Sequence, residues 1–141
     1  MTNMHRNKYL PEPKHFRIEQ VADGVYAAIN RQDGWAIGNA GIVNIGDTTV
    51  VFDTTLTPAS AAELRDSAEY LTGHPVSLVI NSHYHNDHTW GNMEFMPGSL
   101  FISSSVTREL MLEKGKAEYR YYKANASKYA SEYMPEAELG K

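Results

Sequence analysis

A chain of 141 residues has the length of a single domain, and 42% hydrophobic content with two clear apolar strands argues for a packed core rather than disorder. A net charge of −4 without any basic cluster gives no electrostatic case for nucleic acid or an anionic membrane as partner. Cysteine is absent, so disulfides are excluded and a metal site here has to draw on His, Asp or Glu. The segment Met1 to Phe16 is polar and lacks the apolar core of a secretory signal, and no run approaches membrane-spanning length. A cytoplasmic location is therefore the default expectation.

In chain order, residues 1–15 read as a mobile arm in which Pro11 and Pro13 discourage regular structure. The domain proper is expected over 16–134, with 135–141 as a tail. Phe16 to Gln20 and Gly24 to Asn30 alternate as a hairpin turning at Ala22-Asp23-Gly24. A loop carrying Trp35 follows, then a strand around Ala40 to Ile45, a turn at Gly46-Asp47, and a strand Thr48 to Asp53 with the apolar run Val50-Val51-Phe52. Pro58 suits the first position of a helix capped by Thr57 and ended near Thr72 by Gly73. Val76 to Ile80 forms the next buried strand, so strand, helix and strand make a parallel βαβ unit. Leu100 to Ile102 is a short strand, and Ser103 or Ser104 caps a helix reaching about Tyr133 with a weak point at Gly115. Along that helix Tyr119, Tyr122, Ala126, Tyr129 and Tyr133 recur in steps of three and four and form one stripe. Such a stripe serves either as packing on its own lobe or as a wet interface, and a homo-oligomer is the expectation drawn from it.

The apolar strand Val76 to Ile80 runs directly into Asn81-Ser82-His83-Tyr84-His85-Asn86-Asp87-His88-Thr89-Trp90-Gly91-Asn92. Three imidazoles and a carboxylate fall within six residues there, in the pattern H-x-H-x-D-H. Neutral imidazole and carboxylate suit zinc and other divalent transition metals. A lone histidine in a polar loop would mean little, but four ligand-type residues behind a strand are a metal signature. At the extended end of a strand His83 and His85 project from one face, and Asp87 with His88 follow where the chain must turn. In open α/β sheets ligands bind beyond the carboxyl ends of parallel strands. Asp53 ends the neighbouring parallel strand and should lie close by. It reads either as an Asx turn closing the strand or as an acceptor that orients a metal-bound imidazole. Ser82 is a weaker candidate for the same work. His5, His15 and His74 show no ligand spacing and read as surface residues. Trp35 reads as a ring packed on the sheet edge or as a flap facing a substrate.

His83, His85, Asp87 and His88, with Asn81-Ser82 and Trp90-Gly91-Asn92, resemble the metal-binding signature of the metallo-β-lactamase fold superfamily. The resemblance extends through Val25-Tyr26, the Gly38-Asn39-Ala40-Gly41 loop and Val50-Val51-Phe52-Asp53-Thr54, from about Phe16 to the helical tail. It covers the N-terminal half of a typical member. The fold it implies is α/β of the α+β kind: half of an αββα sandwich, a mixed sheet with flanking helices. Val50 to Phe52 and Val76 to Ile80 are apolar on both faces, as in a sheet covered on both sides. One helix covers one face, so the second is expected to stay free for something else.

The resemblance also implies chemistry. His83 and His85 would hold one metal ion and Asp87 with His88 a second, zinc by ligand type, with iron or manganese as alternatives. Asp87 would also orient the nucleophile or relay a proton to the leaving group. The implied reaction is hydrolysis of an ester, thioester, lactone or lactam in a small-molecule substrate, with phosphodiester, sulfate-ester and iron-dependent redox chemistry also found in the superfamily. Complete members supply a third ligand to the first ion and two to the second from their C-terminal half. After His88 this chain has no further His or Asp, only Glu94, Glu109, Glu113, Glu118, Glu132, Glu136 and Glu138. A catalytic zinc takes three protein ligands plus water. Three readings follow: a piece of a metallo-hydrolase, a half-domain completed by a partner or second copy, or a metal-binding remnant without catalysis.

Overall fold

The computed structural model describes residues 12–128. Six strands form one mixed sheet ordered as in the chain: β1 (Phe16–Ala22), β2 (Val25–Asn30), β3 (Ala40–Ile45), β4 (Thr48–Phe52), β5 (Val76–Ile80) and β6 (Leu100–Ile102). The first four pair antiparallel, β1 to β2 and β3 to β4 through short turns and β2 to β3 through the longer loop 31–39; β5 runs parallel to β4, and β6 parallel to β5. Antiparallel neighbours need only a tight turn, and Gly24 and Gly46, at φ 69° and 68°, provide the left-handed residues. Parallel neighbours need a crossover. Between β4 and β5 it is helix α1 (Pro58–Thr72); between β5 and β6 it is the His-rich segment itself. The expected α+β architecture is the one adopted.

The signals that place α1 act as expected. Thr57 Oγ1 accepts from the Ser60 N–H while the Ser60 hydroxyl accepts from the Thr57 N–H, so two otherwise orphaned donors are satisfied reciprocally. Gly73 closes the helix at φ 77°. Ala61, Leu64 and Ala68 of α1, all fully buried, meet Ile42, Val51 and Val79 of the central strands, and Phe95 joins them. On the opposite face of the sheet lie Ile45, Phe52, Leu100 and Ile102, exposed by 58%, 41%, 72% and 48%. The expected uncovered apolar face is present.

The structure departs from expectation at Gly115 and at His15. The helix α3 (Ser105–Ala124), capped by the Ser104 hydroxyl on the Thr107 N–H, runs through Gly115 without a break. A glycine costs a helix about 1 kcal/mol, too little to interrupt 20 residues. Asn125 caps α3 and residues 126–128 are helical again; the rest of the span expected to reach Tyr133, with Tyr129 and Tyr133 themselves, lies outside the described residues, as does His5. The described part of the Tyr stripe turns to its own lobe, with Tyr119 and Tyr122 edge-on to Trp90 at ring distances of 6.1 and 5.5 Å. Finally, His15 is buried rather than superficial: its Nδ1 accepts from the Trp35 N–H at 3.0 Å and its main chain is bonded to Glu63. That contact joins positions 20 residues apart, which no local pattern announces. Among the described residues no helix is long and apolar enough to cross a membrane.

Candidate metal centre

The parallel strands β4 and β5 end side by side, with the Asp53 N–H donating to the Ile80 carbonyl and the Asn81 N–H to that of Ile102. Beyond them the chain makes a single turn of helix α2 (Asn86–Thr89) followed by a 3₁₀ helix (Trp90–Phe95). Neither element is announced by a local pattern. Four residues carry no apolar period, and His85 caps α2 without a side-chain bond. The 3₁₀ helix packs on α1 and returns the chain to β6.

Asp53 sits at φ 60° and Thr55 at φ 69°. Asp tolerates the left-handed region, whereas a β-branched Thr is a genuine outlier there. Such strain persists only where surrounding contacts fix it. Here the Thr55 hydroxyl pairs with that of Ser60 at 2.7 Å, and its carbonyl accepts from the Gly91 N–H. The contorted link turns the Asp53 carboxylate, 7% exposed as a residue, under the His-rich turn.

That carboxylate is the hub. Its Oδ1 accepts from the Ser82 N–H at 2.8 Å, and its Oδ2 from the Ser82 hydroxyl and from His88 Nδ1, both at 2.7 Å. A serine hydroxyl has one proton, and Asp53 takes it. The 2.9 Å contact between Ser82 Oγ and His83 Nδ1 is then donated by the imidazole. In both rings Nδ1 is thereby engaged as a donor, and Nε2 is the nitrogen left to face a metal. A carboxylate behind a ligating imidazole is the arrangement that fixes ring orientation and raises ligand basicity.

Asp53, His83 and His88 each bring a donor atom within 4.8 Å of the others. Asp87 adjoins this group, its Oδ2 lying 3.2 Å from His88 Nε2. His85 is more exposed; its ring stands edge-on to His83 at 4.8 Å and is tilted against Tyr84 at 4.6 Å. Imidazole and carboxylate donors in this number fit a divalent transition metal. All six residues singled out in the sequence thus gather at one end of the parallel strands. His74 and His15 lie elsewhere, packed against the end of α1 and the Trp35 loop.

The sequence reading gave no role to Gly38, Thr54, Asn81, Gly91 or Asn92. A Cβ on Gly38 would come within 2.6 Å of the Asp87 carbonyl oxygen, so the loop carrying Trp35 lies directly on the motif. A cavity of about 300 Å³ is lined by Tyr84, Thr89 and Trp90 of the motif and by Met111, Gly115 and Tyr119 of α3.

A family model described as the metallo-beta-lactamase superfamily matches residues 33–136. Among solved structures, a metallo-beta-lactamase from Hirschia baltica aligns at 25% identity and TM-score 0.63, covering 72% of this chain and 49% of its own. One from Erythrobacter litoralis, with beta-mercaptoethanol in its active site, aligns at 26% identity and TM-score 0.58, covering 70% of this chain and 45% of its own. FIM-1 from Pseudomonas aeruginosa in its mono-zinc form, 17% identical with TM-score 0.62, covers 74% and 49% and attests the fold alone. The chain thus spans about half the length of the structures it matches.

Proposed function

The chain belongs to the metallo-beta-lactamase superfamily, and from that premise we propose that it carries the first half of the metal centre of a zinc-dependent hydrolase. The observation that carries this reading is the convergence of Asp53, His83 and His88 within 4.8 Å, beside His85 and Asp87, at the carboxyl end of β4 and β5. His83 and His85 would hold one ion, and Asp87 and His88 would contribute to a second. When bound, zinc supplies a Lewis acid and a water activated at neutral pH for attack on an ester, thioester, lactone or lactam. Asp53 keeps His88 in the ligating tautomer directly, and keeps His83 in it through Ser82. Asp87, beside His88 Nε2, is placed to orient the nucleophile and pass a proton to the leaving group.

Among the described residues, the donors gathered at the site fall short of three per ion for two ions, and about half the length of the matched structures is not spanned. The exposed Ile45, Phe52, Leu100 and Ile102 supply the matching structural argument, an apolar sheet face open to a second layer. The active unit is therefore this chain joined to a second half, from the same polypeptide, a partner or another copy. A domain that binds metal without catalysis is the competing reading. Hydrolysis separates them. The chain alone should turn over esters, thioesters, lactones and lactams poorly or not at all. Its extension into a segment with His and Asp ligands should raise turnover by several orders of magnitude with zinc. An extended, zinc-loaded protein inert across that panel would favour the non-catalytic reading.

A further inference from the structure

Behind the motif lies a polar cluster that ligates nothing. The carbonyl of His88 points inward and accepts from the Thr54 N–H at 3.0 Å and the Asn81 Nδ2 at 3.1 Å. Asn81 and Asn92 exchange reciprocal amide hydrogen bonds at 3.1 and 2.8 Å. The Thr54 hydroxyl lies 2.8 Å from Asn92 Oδ1 and 3.3 Å from the His88 carbonyl; its single proton goes to the nearer acceptor. Thr54 is fully buried and Asn81 is 4% exposed. Such amides are costly to bury unless every partner is in place, and here each one is. Thr54 follows β4, Asn81 follows β5, and Asn92 belongs to the 3₁₀ helix. The cluster therefore fastens the end of α2 to both parallel strands at once.

We propose that Thr54, Asn81 and Asn92 form a latch that positions the Asp87-His88 pair for metal binding, with Asn81 as its principal positioning residue. The helix α2 is one turn long and lacks a side-chain cap, so it has little stability of its own. Its last carbonyls would otherwise be unsatisfied. Fixing the His88 carbonyl from two sides sets the peptide plane from which the His88 ring departs toward Asp53. The imidazole is then held at both ends, its ring by the Asp53 carboxylate and its main chain by the latch. Metal geometry demands placement within about half an ångström, and such placement comes from supporting residues of this kind.

This inference rests on the proposed metal site, and the test separates the two. Zinc affinity is measured by competition with a chromophoric chelator, and site geometry by the visible spectrum of bound cobalt(II), for wild type, Asn81→Asp, Thr54→Val and Thr54→Ser. Asn81→Asp keeps the shape but removes the donor to the His88 carbonyl, and should weaken zinc about tenfold or more. Thr54→Val should weaken it about threefold and alter the cobalt spectrum, while Thr54→Ser, which keeps the hydroxyl, should restore both. Wild-type affinity and spectrum in Thr54→Val and in folded Asn81→Asp would overturn the latch and leave the metal site standing. Should Asn81→Asp fail to fold, the Thr54 pair decides. A wild-type chain that takes up neither ion would overturn the metal reading and the latch with it.

Discussion

Replacing Gly91 with alanine should destabilise the fold by about 3 kcal/mol or more. A Cβ at this position would overlap the Thr54 carbonyl oxygen and come within 2.6 Å of the Ala61 Cβ. Neither neighbour is free to yield. Thr54 is held by its N–H on the His88 carbonyl and by its hydroxyl on Asn92, and Ala61 is fully buried in α1. The Gly91 N–H also donates to the strained Thr55 carbonyl, so a shift of the 3₁₀ helix would release that link as well. A loss of this size is a large part of the stability of a small domain. Urea or thermal unfolding should show it plainly. Gly98→Ala is the control: a Cβ there meets nothing within 4 Å, and the change should stay within about 0.5 kcal/mol. Equal stability of Gly91→Ala and wild type would mean that the 3₁₀ helix does not pack on the β4 end as described.

Asp53→Ala should be nearly as damaging and should strike the site directly. The substitution leaves the Ser82 N–H, the Ser82 hydroxyl and His88 Nδ1 without their acceptor at a partly buried place, where Ser82 itself reaches solvent. Stranded donors cost about 1–3 kcal/mol each where water cannot reach them, and alanine at φ 60° adds about 1 kcal/mol of backbone strain. Loss of the carboxylate should also weaken zinc binding about 10- to 100-fold, as removal of a partner behind a ligating imidazole does. Asp53→Asn separates the two effects. Asparagine tolerates the left-handed backbone, so much of the stability should survive, yet its amide presents a donor where acceptors are needed. Its zinc affinity should fall with that of the alanine variant. Unfolding curves and chelator competition on the two variants check both parts, and undiminished zinc binding in Asp53→Asn would remove Asp53 from the centre.

Most of the frame was legible in the sequence because its signals are local. Apolar runs bounded by Gly and Asp marked β3, β4, β5 and β6, and Thr57, Pro58 and Gly73 marked both ends of α1. The position of the site followed from one step of topology, the parallel pairing of β4 and β5. What stayed hidden depends on contacts between distant residues. The 3₁₀ helix forms because Gly91 can approach Thr54, which no window around Gly91 reveals. His15 is buried because the Trp35 N–H finds it across the loop. Asp53 was recognised as a neighbour of the histidines, but its left-handed conformation, and the chain of bonds through Ser82 to His83, exist only in three dimensions. Asn81 and Asn92 read as polar loop residues until their side chains are seen to face each other.

The measurement closest to the central claim is the zinc content of the purified chain after equilibrium dialysis, compared among wild type, His83→Ala, His85→Ala and His15→Ala. The account predicts that wild type takes up zinc reversibly and yields it to a mild chelator, because this chain supplies only part of each ligand set. His83→Ala and His85→Ala should lose that uptake, while His15→Ala, whose ring serves Trp35 rather than the centre, should keep it as long as it folds. Zinc uptake unchanged in folded His83→Ala and His85→Ala would contradict the account, and would mean that the H-x-H-x-D-H turn is not where this protein holds a metal.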